Sequence, residues 1–152
     1  MEKIILLLLI LTLWIVPGQP TVTFKSHGII ICEKVYGVGK YIVRTNPVFK
    51  PGETVYIYNE VTISTTTPTT ISIEWILYIY DPLGALLTKT SNRVDKVKVN
   101  YGITYGFWLP LKVSNNFLNG PYKVILEIKS SNRWYKKEEA FFYVTDSTPT
   151  VL

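Results

Sequence analysis

A chain of 152 residues, 47% apolar and 14% aromatic, has the material for one domain with a sizeable core, which excludes a disordered linker. Its net charge of +5 is mild and its lysines are scattered, with Lys136-Lys137 answered at once by Glu138-Glu139, so no nucleic-acid partner is expected. One cysteine, Cys32, excludes an intrachain disulfide, and one histidine, His27, leaves a zinc set short of ligands.

The chain opens with Met1-Glu2-Lys3 and the run "IILLLLILTLWIV" at 4–16, followed by Pro17-Gly18-Gln19-Pro20. Crossing a bilayer takes ~20 apolar residues, and this run is shorter. Residues 1–20 therefore read as a secretory signal peptide, with Val16 and Gly18 as the small residues near a cleavage point. Pro17 disfavours cleavage, so retention as an N-terminal membrane anchor stays open. The expected localisation is secreted or at the cell surface, with membrane contact only through this segment.

From residue 21 onward no amphipathic helical period appears. Two-residue alternation recurs instead, punctuated by turn residues. Strands are expected over 28–37, 40–46, 53–62, 70–80, 85–90, 95–101, 105–113, 121–131 and 136–144. Pro51-Gly52 sets a type II turn before the third of these, since proline fixes φ and glycine supplies a positive φ. Asp81-Pro82-Leu83-Gly84 turns the longest strand into a hairpin, and the Thr/Ser-rich run at 62–72 reads as a loop open to O-linked sugars. Residues 147–152 form a tail.

The alternation also assigns faces. Val55, Ile57 and Val61 share one side, opposite Tyr56, Tyr58, Glu60 and Thr62. Ile71, Ile73, Trp75, Leu77 and Ile79 form an inward stripe, as do Tyr122, Val124, Leu126 and Ile128. Cys32 is expected inside as a small apolar group. Such stripes need facing sheets, so residues 21–146 are assigned to an all-β, two-sheet antiparallel sandwich of seven to nine strands.

The segments "PVFKPGETVYIYNEVT", "LYIYDPLGALL" and "NGPYKVILEIKSSNRWYKKEEAFFYV" resemble an immunoglobulin-like sandwich of archaeal and bacterial exported or cell-surface proteins. The resemblance is to the disulfide-free branch. It implies a buried-tryptophan role for Trp75 and a tyrosine-corner role for Tyr122. It implies no activity, because sandwiches of this type serve many functions.

No catalytic constellation emerges, and neither a cofactor nor a metal is expected. Glu53 and Glu60 flank a turn and a strand rather than converge on a ligand. His27 would have to be the base of any nucleophilic pair and lies near the chain's start. Glu33, Glu74, Glu127, Glu138 and Glu139 each read as outward strand residues. A surface remains. If the longest strand pairs with the penultimate one, and that with the last, then Ile76, Tyr78, Tyr80, Ile125, Phe141 and Tyr143 become neighbours on an outer face that ought to be polar. The expected function is a non-enzymatic binding or structural module acting through protein contacts, with a protein partner or a second copy on that face. The alternative is carbohydrate recognition with Tyr56 and Tyr58 as stacking platforms.

Overall fold

The computed structural model describes residues 21–146; the signal or anchor segment expected at 1–20 and the tail at 147–152 lie outside the described residues. Every regular element described is a strand: β1 (Val22–Ser26), β2 (Ile30–Gly37), β3 (Lys40–Val43), β4 (Val48–Phe49), β5 (Thr54–Thr65), β6 (Thr69–Tyr80), β7 (Leu86–Val99), β8 (Gly102–Lys112), β9 (Gly120–Ser130) and β10 (Tyr135–Val144).

Two sheets stack face to face. In the first, β5 pairs along its length with β8, while β1 and β2 follow one another along its other edge and β3 flanks β2. The second runs β4-β10-β9-β6-β7. The chain crosses between sheets from β3 to β4, β4 to β5, β5 to β6, β7 to β8 and β8 to β9. That Greek-key order makes this an immunoglobulin-like sandwich. Its core is the set of inward stripes: Val55, Ile57, Val61 and Ile63 on β5 meet Ile71 to Ile79 on β6, Val124 to Ile128 on β9, and Phe142 and Val144 on β10, all at most 2% exposed.

Two side chains fix the sandwich's interior geometry. Trp75 stacks on Phe107 at 6.1 Å and donates from Nε1 to Asn59 Oδ1 at 3.1 Å. Tyr122 lies between Phe142 and Phe117, at 5.1 and 5.4 Å, and its hydroxyl donates to the Leu118 carbonyl at 3.1 Å. This is the tyrosine corner the resemblance implied. Tyr122→Phe keeps both stacks and removes one hydrogen bond, so an unfolding free energy lower by about 1 kcal/mol is expected in urea denaturation.

The turns follow their sequences. Gly52 adopts φ 93° beside Pro51, Glu53 N–H donates to the Lys50 carbonyl at 3.1 Å, and Glu53 Oε2 accepts from Lys50 N–H at 2.6 Å. The Glu53 carboxylate serves the turn that introduces β5. Asp81 Oδ1 accepts from both Leu83 N–H and Ala85 N–H, at 2.9 and 2.8 Å, which closes the β6–β7 hairpin.

The structure departs from the sequence reading in four places. Ten strands form, because β1 and the two-residue β4 add to the expected set, and 85–90 and 95–101 are one strand, β7, carrying a bulge opposite Ile71 to Ile73. β4 pairs parallel with β10, so the sandwich is not purely antiparallel. It is held there by Tyr143 N–H on the Pro47 carbonyl and by Arg44, which donates to the Val48 carbonyl at 2.9 Å and to Glu33 at 3.1 Å. Most of the expected loop at 62–72 is strand, with Ile63, Thr65 and Ile71 buried, and only 66–68 connect β5 to β6. Thr and Ser alternate with isoleucine there, and β-branched residues suit strands. Cys32 is fully buried, but it lies opposite Tyr56 in the ladder and so on the outer side of its sheet, away from the main core.

Candidate interaction face

The six residues singled out for partner binding come to one surface, the outer face of the β4-β10-β9-β6-β7 sheet. The inward alternation of Trp75, Leu77 and Ile79 turns Ile76, Tyr78 and Tyr80 outward. Register then fixes their neighbours, because directly opposed residues on adjacent strands point the same way. Tyr78 opposes Ile125 on β9 and Lys89 on β7, and Ile125 opposes Glu139 on β10. Tyr80 opposes Lys123, which opposes Phe141, while Tyr143 opposes Pro121 at the corner beside β4. Phe141 and Tyr143 are 46% and 45% exposed, and the other four are half-buried. The structural roles given to Pro51, Gly52, Trp75 and Tyr122 are turn and core positions, away from this face.

Charged side chains are interleaved with these apolar ones, and several of them are engaged. Lys123 Nζ pairs with Glu139 at 3.3 Å and Lys129 with Glu127 at 3.7 Å. Lys89 Nζ lies 5.2 Å from the Tyr78 ring centroid, within cation–π range. At the hairpin end the surface dips into a depression of about 350 Å³ whose walls are Tyr80, Pro82, Pro121 and Phe141, over Ile125. Its lining is mostly apolar, with Lys123 between Tyr80 and Phe141 and Asp81 at the hairpin.

The opposite outer face, on the β5–β8 sheet, corrects the sugar-platform expectation. Tyr58 is fully buried. The β2–β3 hairpin folds across it. Tyr41 packs at 4.6 Å and Trp108 at 6.2 Å between ring centroids, the Gly39 N–H donates to the Tyr58 hydroxyl at 2.8 Å, and that hydroxyl donates to Glu60 Oε1. Gly106 admits the hairpin tip: a Cβ there would lie 2.9 Å from a Val38 methyl. Burial, reinforced by Glu60, pushes the Tyr58 phenol well above its usual range. Tyr56 alone is half-exposed, and one ring does not make the expected pair of platforms.

The residues weighed as carriers of chemistry are dispersed. His27 is exposed, with Nε2 3.0 Å from Thr62 Oγ1. Burial raises the Cys32 thiol to about 11, which keeps it protonated and inert at neutral pH. No group of three or more potential metal ligands occurs among the described residues. One residue escaped the sequence reading and another was assigned the wrong face. Asn59 sits on the inward side of β5, fully buried, with Nδ2 donating to Ser26 Oγ and the Gly28 carbonyl, both at 2.9 Å. Glu138, expected outward, shares the inward parity of Ala140 and Phe142, and its Oε2 is buried without a hydrogen-bond partner. Both signals were present as polar residues at odd places in apolar stripes.

Fold and face together define an immunoglobulin-like sandwich with one apolar outer sheet. No protein-family model matches the chain, and no curated protein sequence matches it. Among solved structures it is similar to the C-terminal domain of wzt, at 14% identity and TM-score 0.52, covering 86% of this chain and 81% of that one. It is similar also to a family 123 glycoside hydrolase from Clostridium perfringens, at 11% identity and TM-score 0.52, covering 85% of this chain. This chain spans only 28% of that hydrolase, so the likeness is to one part of a larger protein. A CARDB domain from Pyrococcus furiosus, in complex with di-metal ions, matches more loosely, at 11% identity and TM-score 0.44 over 83% of this chain and 89% of that one. At these identities the likeness concerns the fold alone.

Proposed function

We propose that the protein is a non-enzymatic binding or structural module, exported or held at the cell surface, that acts through protein contacts on the outer face of β6, β9 and β10. One observation carries this reading. A sheet face left to solvent is normally polar, whereas here Tyr78, Tyr80, Ile125 and Phe141 gather around Lys123, whose charge is paired with Glu139. Apolar patches of this kind mark interaction surfaces. The export reading rests on the apolar run at 4–16. An assembly subunit fits both, since it needs a rigid domain and a surface that another chain covers.

The double variant Tyr78→Ser, Phe141→Ser tests it. Both side chains point away from the core, so the variant is expected to keep its strand content and unfolding midpoint. It is also expected to lose the partners cross-linked to the parent in its native envelope. Retention of the same cross-linked partners by the folded variant would count against this face.

A further inference from the structure

We infer that the outer face of β7, β6, β9 and β10 binds a second copy of this chain, about a two-fold axis parallel to the strands and passing between β6 and β9. The inference rests on the interface reading above and names the partner. It comes from the ladder register. The central cross-strand row reads Lys89, Tyr78, Ile125, Glu139 from β7 to β10. The row beside it reads Leu86, Tyr80, Lys123, Phe141.

A two-fold along the strands lays each row on its own reverse, since the operation exchanges left and right but not up and down. Lys89 of one copy then faces Glu139 of the other, and Tyr78 faces Ile125. In the next row Tyr80 faces Lys123 and Leu86 faces Phe141, an aromatic under a cation and an apolar pair. Two rows the other way, Glu74 opposes Lys129 in the ladder and would face it again across the interface. The row between matches poorly, with Ile76 over Glu127 and Ser91 over Lys137, although Glu127 keeps Lys129 at 3.7 Å.

The alternative axis, across the strands through the central row, fails on charge. It sets each strand on itself, Lys89 against Lys89 and Glu139 against Glu139, and like charges across an interface are costly. Area is consistent with a modest dimer. Four strands about 4.8 Å apart and about eight residues of about 3.3 Å give about 500 Å² per copy, near the lower limit for a specific interface. Facing sheets cross at about −30°, so the match is tightest in the central row.

Within one chain Lys89 and Glu139 stand three strand spacings apart, about 14 Å, and Glu139 also pairs with Lys123, so the Lys89→Glu arm, which leaves that pair intact, isolates the contact between copies. The dimer dissociation constant of the full chain is measured by analytical ultracentrifugation. Lys89→Glu and Glu139→Lys should each weaken dimerisation about tenfold or more. Both changes in one chain should restore it to within about threefold, and mixing the two single variants should give heterodimers. A parent that stays monomeric at all concentrations, or a double variant as weak as the singles, overturns the assignment of a second copy. If a monomeric chain instead binds a different protein, and Tyr78→Ser with Phe141→Ser abolishes that binding, the interface reading stands and this inference falls.

Discussion

Trp75→Ala is expected to lower the unfolding free energy by about 3–5 kcal/mol, as for other large buried aromatics truncated to alanine. The indole is 1% exposed and stacked on Phe107, so its removal opens a cavity between the sheets rather than at an edge. A second loss is specific to this site. Asn59 is held by three hydrogen bonds, to the Trp75 indole, to Ser26 Oγ and to the Gly28 carbonyl. It thereby fastens the break between β1 and β2 to the core. Without the indole, Asn59 Oδ1 is left buried and unpaired, a cost of about 1–3 kcal/mol. Trp75→Phe separates the contributions, since it keeps most of the apolar volume and loses only the donor. A double-mutant cycle with Asn59→Ala should show strong non-additivity, because either change breaks the same bond. Urea denaturation of the five chains is the measurement. A loss below about 1 kcal/mol for Trp75→Ala, or additivity in the cycle, would contradict the arrangement described.

The parts of this architecture legible in the sequence are those governed by two-residue periodicity. Ile71 to Ile79 and Tyr122 to Ile128 alternate strictly, and every inward member is buried. The face was legible for the same reason: once β6, β9 and β10 are adjacent, alternation alone brings Tyr78, Ile125 and Phe141 to one side. Periodicity says which way a side chain points but not what lies over it. Tyr58 was correctly placed on the outer face of its sheet, yet the β2–β3 hairpin closes over that face, and the contact depends on Val38 meeting Gly106 nearly seventy positions further along. β4 is two residues long, too short for any period, and exists because β10 and Arg44 hold it. Asn59 was passed over, and Glu138 assigned outward, because a polar residue in an apolar stripe reads as an interruption, whereas in the fold Asn59 is a buried connector.

The second large effect is expected at Tyr58. Tyr58→Ala should cost about 3–5 kcal/mol, and the damage should centre on the β2–β3 hairpin rather than on the main core. The ring is the floor on which Tyr41 rests, and its hydroxyl joins Gly39 to Glu60. Cys32 provides a local reporter on the same side of the sheet. In the parent its buried thiol should resist a thiol reagent at pH 8, and in Tyr58→Ala it should react readily. Tyr58→Phe tests the hydroxyl alone, leaving the Gly39 N–H and the Glu60 carboxylate without this partner, at about 1–2 kcal/mol. It should also alter the response to alkali. The folded state holds the phenol protonated well above its usual range, whereas the unfolded chain releases that proton near pH 10. Above that pH the unfolded state binds fewer protons than the native one, so the stability contributed by protonated Tyr58 is complete below pH 10 and declines as pH rises. The slope for one proton is at most about 1.4 kcal/mol per pH unit. In Tyr58→Phe that component vanishes, and the alkaline limb of the stability curve should be shallower than the parent's. If Tyr58→Ala unfolds within about 1 kcal/mol of the parent and Cys32 stays unreactive, the hairpin does not depend on this ring and the covered outer face must be held some other way.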